Sequence, residues 1–137
     1  MKIGIIGSMH HSEKMLEIAG QLKQLGHEPH LSKFASNFVN KNDTERENIK
    51  LDQKYNQDAI REFWKVMQST DAILVVNLDR KGIKNYIGGN TLMEMGFAHV
   101  LNQKIFLYNP PPNIEFYETE IRAMRPVVIN GDLNLIQ

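Results

Sequence analysis

The sequence predicts one α/β domain of three layers, α/β/α, in which helices cover both faces of a parallel sheet of about five strands. Short apolar runs alternate along the chain with segments of helical spacing, as in consecutive βαβ units. The apolar runs are nearly continuous, which is typical of strands that are buried on both faces. A length of 137 residues is that of one domain, so residues 1–137 are interpreted as a single unit.

The first elements are predicted to form a βαβ unit with a right-handed crossover. Lys2–Gly7 is a short apolar run ending in glycine, which predicts a buried parallel strand. A helix follows, and Gly26 stands where a C-terminal glycine cap belongs. Glu28–Leu31 is predicted to be the second strand. The helix is indicated by apolar residues at helical spacing, namely Met15, Ile18, Ala19, Leu22 and Leu25.

A polar helix is predicted next. It is expected to begin at Thr44, because Thr44-x-x-Glu47 has the pattern of a capping box. The segment Asp43–Lys54 is nearly all polar, so it is either solvated or covers an opening. An apolar face begins at Ala59, and we expect a break or bend near Tyr55–Gln57.

Three further strands are predicted in the second half of the chain. Asp71–Asn77 is the clearest, Lys104–Asn109 follows, and Pro126–Ile129 is the last. A short helix is expected within Asn113–Met124. The segment Leu78–Gly89 is an unusually long loop for this architecture, and long loops tend to be functional or mobile.

Gly88–Asn102 is interpreted as a glycine-rich loop that opens into a helix. Leu92–Leu101 is apolar almost all round, which predicts a helix buried on every side. Glu94 is the exception, and two interpretations of it stay open. Thr91-x-x-Glu94 fits a capping box, in which the glutamate bonds back to the cap amide. Alternatively Glu94 lines a pocket, because paired glycines let backbone approach a ligand and free amides at a helix start favour an anion.

Composition limits the possible partners. Lys+Arg and Asp+Glu are both 16, which disfavours a nucleic-acid polymer. The chain has no cysteine and no H-E-x-x-H, G-x-G-x-x-G or Walker pattern, so we expect no metal and no cofactor. The longest aliphatic run, Ala72–Val76, is too short for a bilayer. Without a signal-peptide pattern, a cytoplasmic protein with no membrane contact is expected. His99 and Trp64 are expected in the core.

Ligands of such sheets bind beyond the carboxyl ends of the strands, near the point where the strand order reverses. The side chains expected there are uncharged apart from Asp79 and Glu94, which suits a neutral sugar. The residues predicted to meet at this edge are Ser8, Met9, His10, Asn77, Asp79, Gly88, Gly89, Asn90, Glu94 and Asn109.

Four segments, in this order and spacing, resemble the nucleoside 2-deoxyribosyltransferase superfamily, which includes deoxynucleotide N-hydrolases. They are Ile6–Met9, Asp71–Asp79, Met93–Ala98 and Lys104–Tyr108. The resemblance implies a flavodoxin-like or Rossmann-like fold and a homodimer or higher homo-oligomer. It also implies cleavage of the N-glycosidic bond of a (deoxy)nucleoside or nucleoside 5′-monophosphate, by hydrolysis or transfer.

The same resemblance implies roles for individual residues. Glu94 corresponds to the nucleophile, which attacks the anomeric carbon and forms a glycosyl-enzyme ester. Asp79 is the candidate acid that protonates the leaving base. A residue of a neighbouring subunit, near Glu118–Arg122, would complete the site. The substrate-binding residues would be Ser8, Met9, His10, Asn77, Gly88, Gly89 and Asn90.

The sequence also departs from that family. Gly88 stands where the family has an aspartate or serine that holds the sugar, and Asn90 stands where glycine is expected. The basic side chains of the loop, Arg80, Lys81 and Lys84, either clamp a 5′-phosphate or are solvated. Three alternatives follow: an N-glycosidic enzyme, a nucleotide-binding or sensing domain of the same fold without turnover, and a partner-binding module in which Glu94 is only a cap.

Overall fold

The computed structural model describes all residues, Met1–Gln137, and confirms the three-layer α/β/α architecture. Five parallel strands form one sheet in the order β2-β1-β3-β4-β5. The strands are β1 Lys2–Gly7, β2 Glu28–His30, β3 Ala72–Val76, β4 Lys104–Leu107 and β5 Val127–Val128. The helices are α1 Ser12–Gln24, α2 Asp43–Asn56, α3 Ala59–Met67, α4 Gly89–Val100 and α5 Glu118–Ala123. Short 3-10 turns lie at Met9–His11, Ala35–Phe38 and Leu133–Leu135.

The sheet separates two apolar cores. Alternate residues of a strand point to opposite faces, so Leu74 of β3 packs in the core under α1 while Val75 packs in the core under α3 and α4. All five residues of β3 are buried, as the continuous apolar run predicts for a central parallel strand. None of the helices has the length and apolar character that crossing a membrane would require.

The strand order reverses between β1 and β3. From β1 the chain passes through α1 to β2 on one side, and from β3 it passes through α4 and α5 to β4 and β5 on the other. The connections that leave the carboxyl ends of β1 and β3 therefore diverge and leave a crevice between them. This is the edge at which the sequence analysis expects the ligand.

Helix boundaries agree with the sequence in part. The predicted break is confirmed, since α2 ends at Asn56 and Asp58 caps the start of α3. Gly26 follows α1 with a φ of +87°, as a glycine cap requires. The capping box at Thr44 is wrong. Asn42 caps α2 instead, with its side chain accepting a hydrogen bond from the Glu45 amide at 2.8 Å, because asparagine is at least as good a cap as threonine.

The predicted complete burial of α4 is wrong. Only one side of the helix packs on the sheet, so Val100 is 81% exposed and His99 lies at the surface. The expected core histidine is thus a surface residue. Trp64 of α3 is half-buried and covers part of the outer side of α4, with its ring 5.0 Å from the Phe97 ring in an edge-on contact.

Candidate functional site

A cleft of about 140 Å³ opens at the reversal point of the sheet. A single water needs roughly 10–15 Å³ by this measure, so the cleft has room for a small-molecule group. Its walls come from β1 and the turn after it, from α2, from the loop after β3, and from the first two turns of α4. The polar and glycine residues of the lining are Gly7, Ser8, His10, Ser32, Lys50, Gln53, Lys54, Arg80, Lys81, Tyr86, Gly88, Gly89, Asn90, Thr91 and Glu94.

Glu94 is the one acidic residue that lines the cleft. Its side chain is buried on the second turn of α4 and accepts a hydrogen bond from Asn90 Nδ2 at 3.2 Å. Burial raises the pKa of this carboxyl from 4.5 to about 8, and the positive charge of Lys54 acts in the opposite direction. Burial therefore favours the protonated form of Glu94 in the ligand-free protein.

The capping-box interpretation of Glu94 is wrong. The helix begins at Gly89 with Gly88 as its cap residue, so Thr91 already lies inside the helix and is buried. The hydrogen bond of the Glu94 side chain is to Asn90, four residues earlier on the same face, and not to a cap amide. Glu94 is thus a buried carboxyl whose position no helix cap explains.

Arg46 docks the polar helix α2 over the cleft. Its guanidinium donates to the His10 carbonyl at 2.6 Å and to the Met9 carbonyl at 3.3 Å, and it pairs with Glu13 at 2.7 Å. A further bond joins Nε to the Lys41 carbonyl at 2.8 Å. Both alternatives left open for this segment hold, since one side of α2 lines the cleft and its other side is exposed to solvent.

We expect Arg46→Met to lower the free energy of unfolding by about 2–4 kcal/mol, because the carbonyls of the turn and the Glu13 carboxylate lose a charged, buried partner. Urea denaturation measures the loss, and hydrogen exchange should show faster opening of α2. The control is Arg61→Met, which removes an exposed arginine paired only with Asp58 and should change stability by no more than about 0.5 kcal/mol. Equal effects of the two substitutions would show that the Arg46 contacts do not hold α2.

The cleft is more basic than the sequence analysis expects. Four basic side chains line it and Glu94 is its one acid, so the prediction of an otherwise uncharged edge is wrong. The difference arises because α2 adds two basic side chains to those at the strand ends and the loop after β3 adds two more. The basic residues are Lys50 and Lys54 from α2, and Arg80 and Lys81 from the loop after β3. Burial lowers the pKa of Lys54, as expected for an ammonium group that has lost part of its hydration.

His10 links this loop to α2. Its Nε2 lies 2.9 Å from Arg80 Nη2 and its Nδ1 lies 3.2 Å from Asp43 Oδ1. Burial and the nearby Arg80 charge lower the pKa of His10, which favours the neutral ring. Its partners assign the tautomer: Nε2 accepts from Arg80 and Nδ1 donates to Asp43.

The structure brings most of the predicted residues together at the cleft: Ser8, Met9, His10, Gly88, Gly89, Asn90 and Glu94. Asn77 and Asp79 do not line it. The fully buried Asn77 accepts from the Asn109 amide at 2.9 Å and donates to the Pro110 carbonyl at 3.0 Å, which joins the ends of β3 and β4. The exposed Asp79 accepts from the Asn85 amide at 2.9 Å and closes its own loop. Both side chains thus form hydrogen bonds that hold backbone segments in place, and neither faces the cleft.

Tyr86 explains the glycine at position 88. A Cβ atom on Gly88 would lie 3.1 Å from the Tyr86 hydroxyl oxygen, which is tighter than ordinary van der Waals contact. Glycine therefore leaves room for the phenol beside the start of α4. No sequence pattern indicates Tyr86, but Lys50 and Lys54 could have been found from their spacing of one helical turn in a helix expected to cover an opening.

The fold and the site define a class: an α/β protein with a basic cleft at the reversal point of a parallel sheet and one buried carboxyl inside it. Comparison of the chain with models of known protein families, with curated proteins and with solved structures gives no match. No cluster of three or more histidine, aspartate or glutamate side chains that could hold a metal ion is present.

Proposed function

We propose that this protein cleaves the N-glycosidic bond of a nucleoside or nucleoside 5′-monophosphate, with Glu94 as the nucleophile. The observation that carries the proposal is a carboxyl group buried in the cleft, bonded to Asn90 and used by no helix cap. Burying a carboxyl without a charged partner lowers the stability of the fold, and carboxyls buried in clefts are commonly functional. The resemblance of Met93–Ala98 to the nucleoside 2-deoxyribosyltransferase superfamily gives the reaction class.

A carboxylate suits this reaction because the sugar develops positive charge at the anomeric carbon in the transition state. Glu94 is the one carboxyl in the cleft lining, which favours a double displacement through a covalent ester over an inverting reaction that needs a second carboxylate. Asn90 Nδ2, at 3.2 Å from Glu94 Oε1, would stabilise the ionised form and hold the attacking group.

In the first step a carboxylate oxygen of Glu94 forms a bond to the anomeric carbon while the bond from that carbon to the base nitrogen breaks. The base leaves with the electron pair and takes a proton from solvent. In the second step a water, or the ring nitrogen of a second base, attacks the same carbon and loses a proton to solvent. The ester bond then breaks and the Glu94 carboxylate is restored.

The test is release of free base from a panel of purine and pyrimidine ribonucleosides, deoxyribonucleosides and their 5′-monophosphates, followed by chromatography. We expect release from at least one compound, with kcat/KM rising with pH through about 8 as Glu94 ionises. No release from any compound would contradict the proposal. A rate that falls over the same pH range would contradict the nucleophile assignment, because the protonated carboxyl would then be the active form.

A second candidate is a nucleotide-binding or sensing domain of the same fold without turnover. The raised pKa of Glu94 favours it, since a neutral carboxyl donates a hydrogen bond to a ligand and does not attack it. On this alternative, nucleotides raise the Tm while no base is released, because a ligand that binds only the native state stabilises it.

Assembly into a homodimer or higher homo-oligomer, implied by the same resemblance, is also part of the proposal, as is a cytoplasmic location. Val100 at the end of α4 is 81% exposed and Phe116 before α5 is 90% exposed. Apolar side chains as exposed as these are the kind that such an assembly would remove from water.

A further inference from the structure

Gln53 of α2 is a buried amide without a partner. The residue is 5% exposed, and its Nε2 atom is out of contact with solvent and has no hydrogen-bond partner in the protein. Buried polar groups are nearly always hydrogen-bonded, because the water they lose must be replaced. A group that the fold leaves unsatisfied in a cleft wall calls for a ligand atom that accepts from it.

The surroundings of Gln53 indicate the charge of that ligand. Lys50 and Lys54 lie three residues before it and one after it on α2, and all three side chains line the cleft. Lys50 pairs with Glu47 at 2.9 Å, whereas no carboxylate lies within 4.0 Å of the Lys54 ammonium group. A neutral ligand would leave the partly buried Lys54 ammonium group without a close counter-ion, which is unfavourable.

We propose that α2 forms a phosphate subsite, in which the Gln53 amide donates to a phosphate oxygen and the Lys50 and Lys54 ammonium groups neutralise its charge. The subsite rests on the proposed function and deepens it, since it selects a nucleoside 5′-monophosphate over the free nucleoside. Arg80 and Lys81, which reach the cleft from the loop after β3, add to the positive potential that draws the dianion in.

The charges favour a phosphate over a carbonyl of the base. A phosphate monoester offers three terminal oxygens, so one group can accept from the amide and from two ammonium groups at once. A single base carbonyl can satisfy Gln53 but leaves Lys54, which unlike Lys50 has no carboxylate partner, without a counter-ion. The Arg46 contacts fix α2 against the turn after β1, so the helix that carries the three side chains of the subsite is held in place before the ligand arrives.

The test compares ligands that differ only in the phosphate. Ribose 5-phosphate and 2-deoxyribose 5-phosphate contain no glycosidic bond to a base, so their binding is independent of turnover. Each is compared with the unphosphorylated sugar, and each nucleoside 5′-monophosphate with its nucleoside, by calorimetry and by the shift in Tm. We expect the phosphorylated member of each pair to bind at least about tenfold more tightly.

Gln53→Met keeps the length of the side chain and removes the amide. We expect it to raise the Tm of the ligand-free protein by about 2–4 °C, because no unpaired amide stays buried. It should also weaken binding of the phosphorylated ligands by about 10- to 100-fold and leave binding of the unphosphorylated ones unchanged. Gln21→Met, on the exposed side of α1, is the matched control and should change neither quantity.

Equal binding of phosphorylated and unphosphorylated ligands would overturn the subsite, as would a loss of affinity in Gln53→Met that is the same for both. The experiments can refute the phosphate subsite and the proposed reaction independently of each other. Base release at the same kcat/KM from a nucleoside and its monophosphate refutes the subsite alone. Tight, Gln53-dependent binding of the sugar phosphates without base release from any compound refutes the reaction alone.

Discussion

Replacing Glu94 by glutamine is expected to reduce the rate of base release by at least about 10³-fold, as removal of a nucleophile does in other covalent mechanisms. The amide has nearly the same shape, so the side chain still fits beside Asn90, but it cannot form the glycosyl ester. The measurement is single-turnover base release from the best substrate of the wild type. Tm and circular dichroism verify that the variant is folded.

Glu17→Gln is the matched control, because Glu17 is exposed on α1 and pairs only with Lys14. It removes one carboxylate without touching the cleft and should leave the rate within about twofold of wild type, since surface substitutions of this kind have small effects. A Glu94→Gln rate within a factor of ten of wild type would exclude Glu94 as the nucleophile, whatever the substrate.

The ligand-free protein is expected to lose stability as the pH rises from about 4.5 to about 8. The folded state raises the pKa of Glu94 to about 8, so it binds the proton more tightly than the unfolded chain. The resulting stabilisation is fully present below pH 4.5 and is lost as the pH approaches 8. At 1.36 kcal/mol per pH unit, a pKa of about 8 against 4.5 corresponds to a change of up to about 5 kcal/mol.

The measurement is the difference in free energy of unfolding between wild type and Glu94→Gln, from urea denaturation at pH 5 and at pH 8.5. The variant should be the more stable of the two at pH 8.5, and the difference should shrink at pH 5. The difference is used because burial lowers the pKa values of His10 and His11, and a lowered histidine pKa makes stability change with pH in the opposite direction. A difference that does not vary with pH would show that Glu94 titrates normally.

These two results together separate the candidate functions. If Glu94→Gln loses base release and is more stable than the wild type at high pH, the buried carboxyl destabilises the fold and is needed for the reaction. A gain in stability without any base release by the wild type would instead favour nucleotide binding without turnover. In that case Tm shifts with 5′-monophosphates become the measure of function.

Local patterns were sufficient for much of the fold. The run Ala72–Val76 is apolar without interruption, so it had to be a strand buried on both faces. Gly26 and the polar break at Tyr55–Gln57 were found because caps and helix ends depend on a few neighbouring residues. The sequence did not predict which residue caps α2. As cap residues, Asn42 and Thr44 stabilise a helix by too similar a free energy for the sequence to rank them.

The sequence by itself determined the order of elements, the edge of the sheet at which the cleft opens, and the anomaly of a glutamate in an apolar helix. Only the tertiary structure decided that the cleft is basic and that Gln53 is buried without a partner. The physical reason is that α2 is held by long-range bonds from Arg46 to the carbonyls of Met9 and His10. Backbone carbonyls are present at every position, so no side-chain pattern identifies which of them a distant arginine will bind.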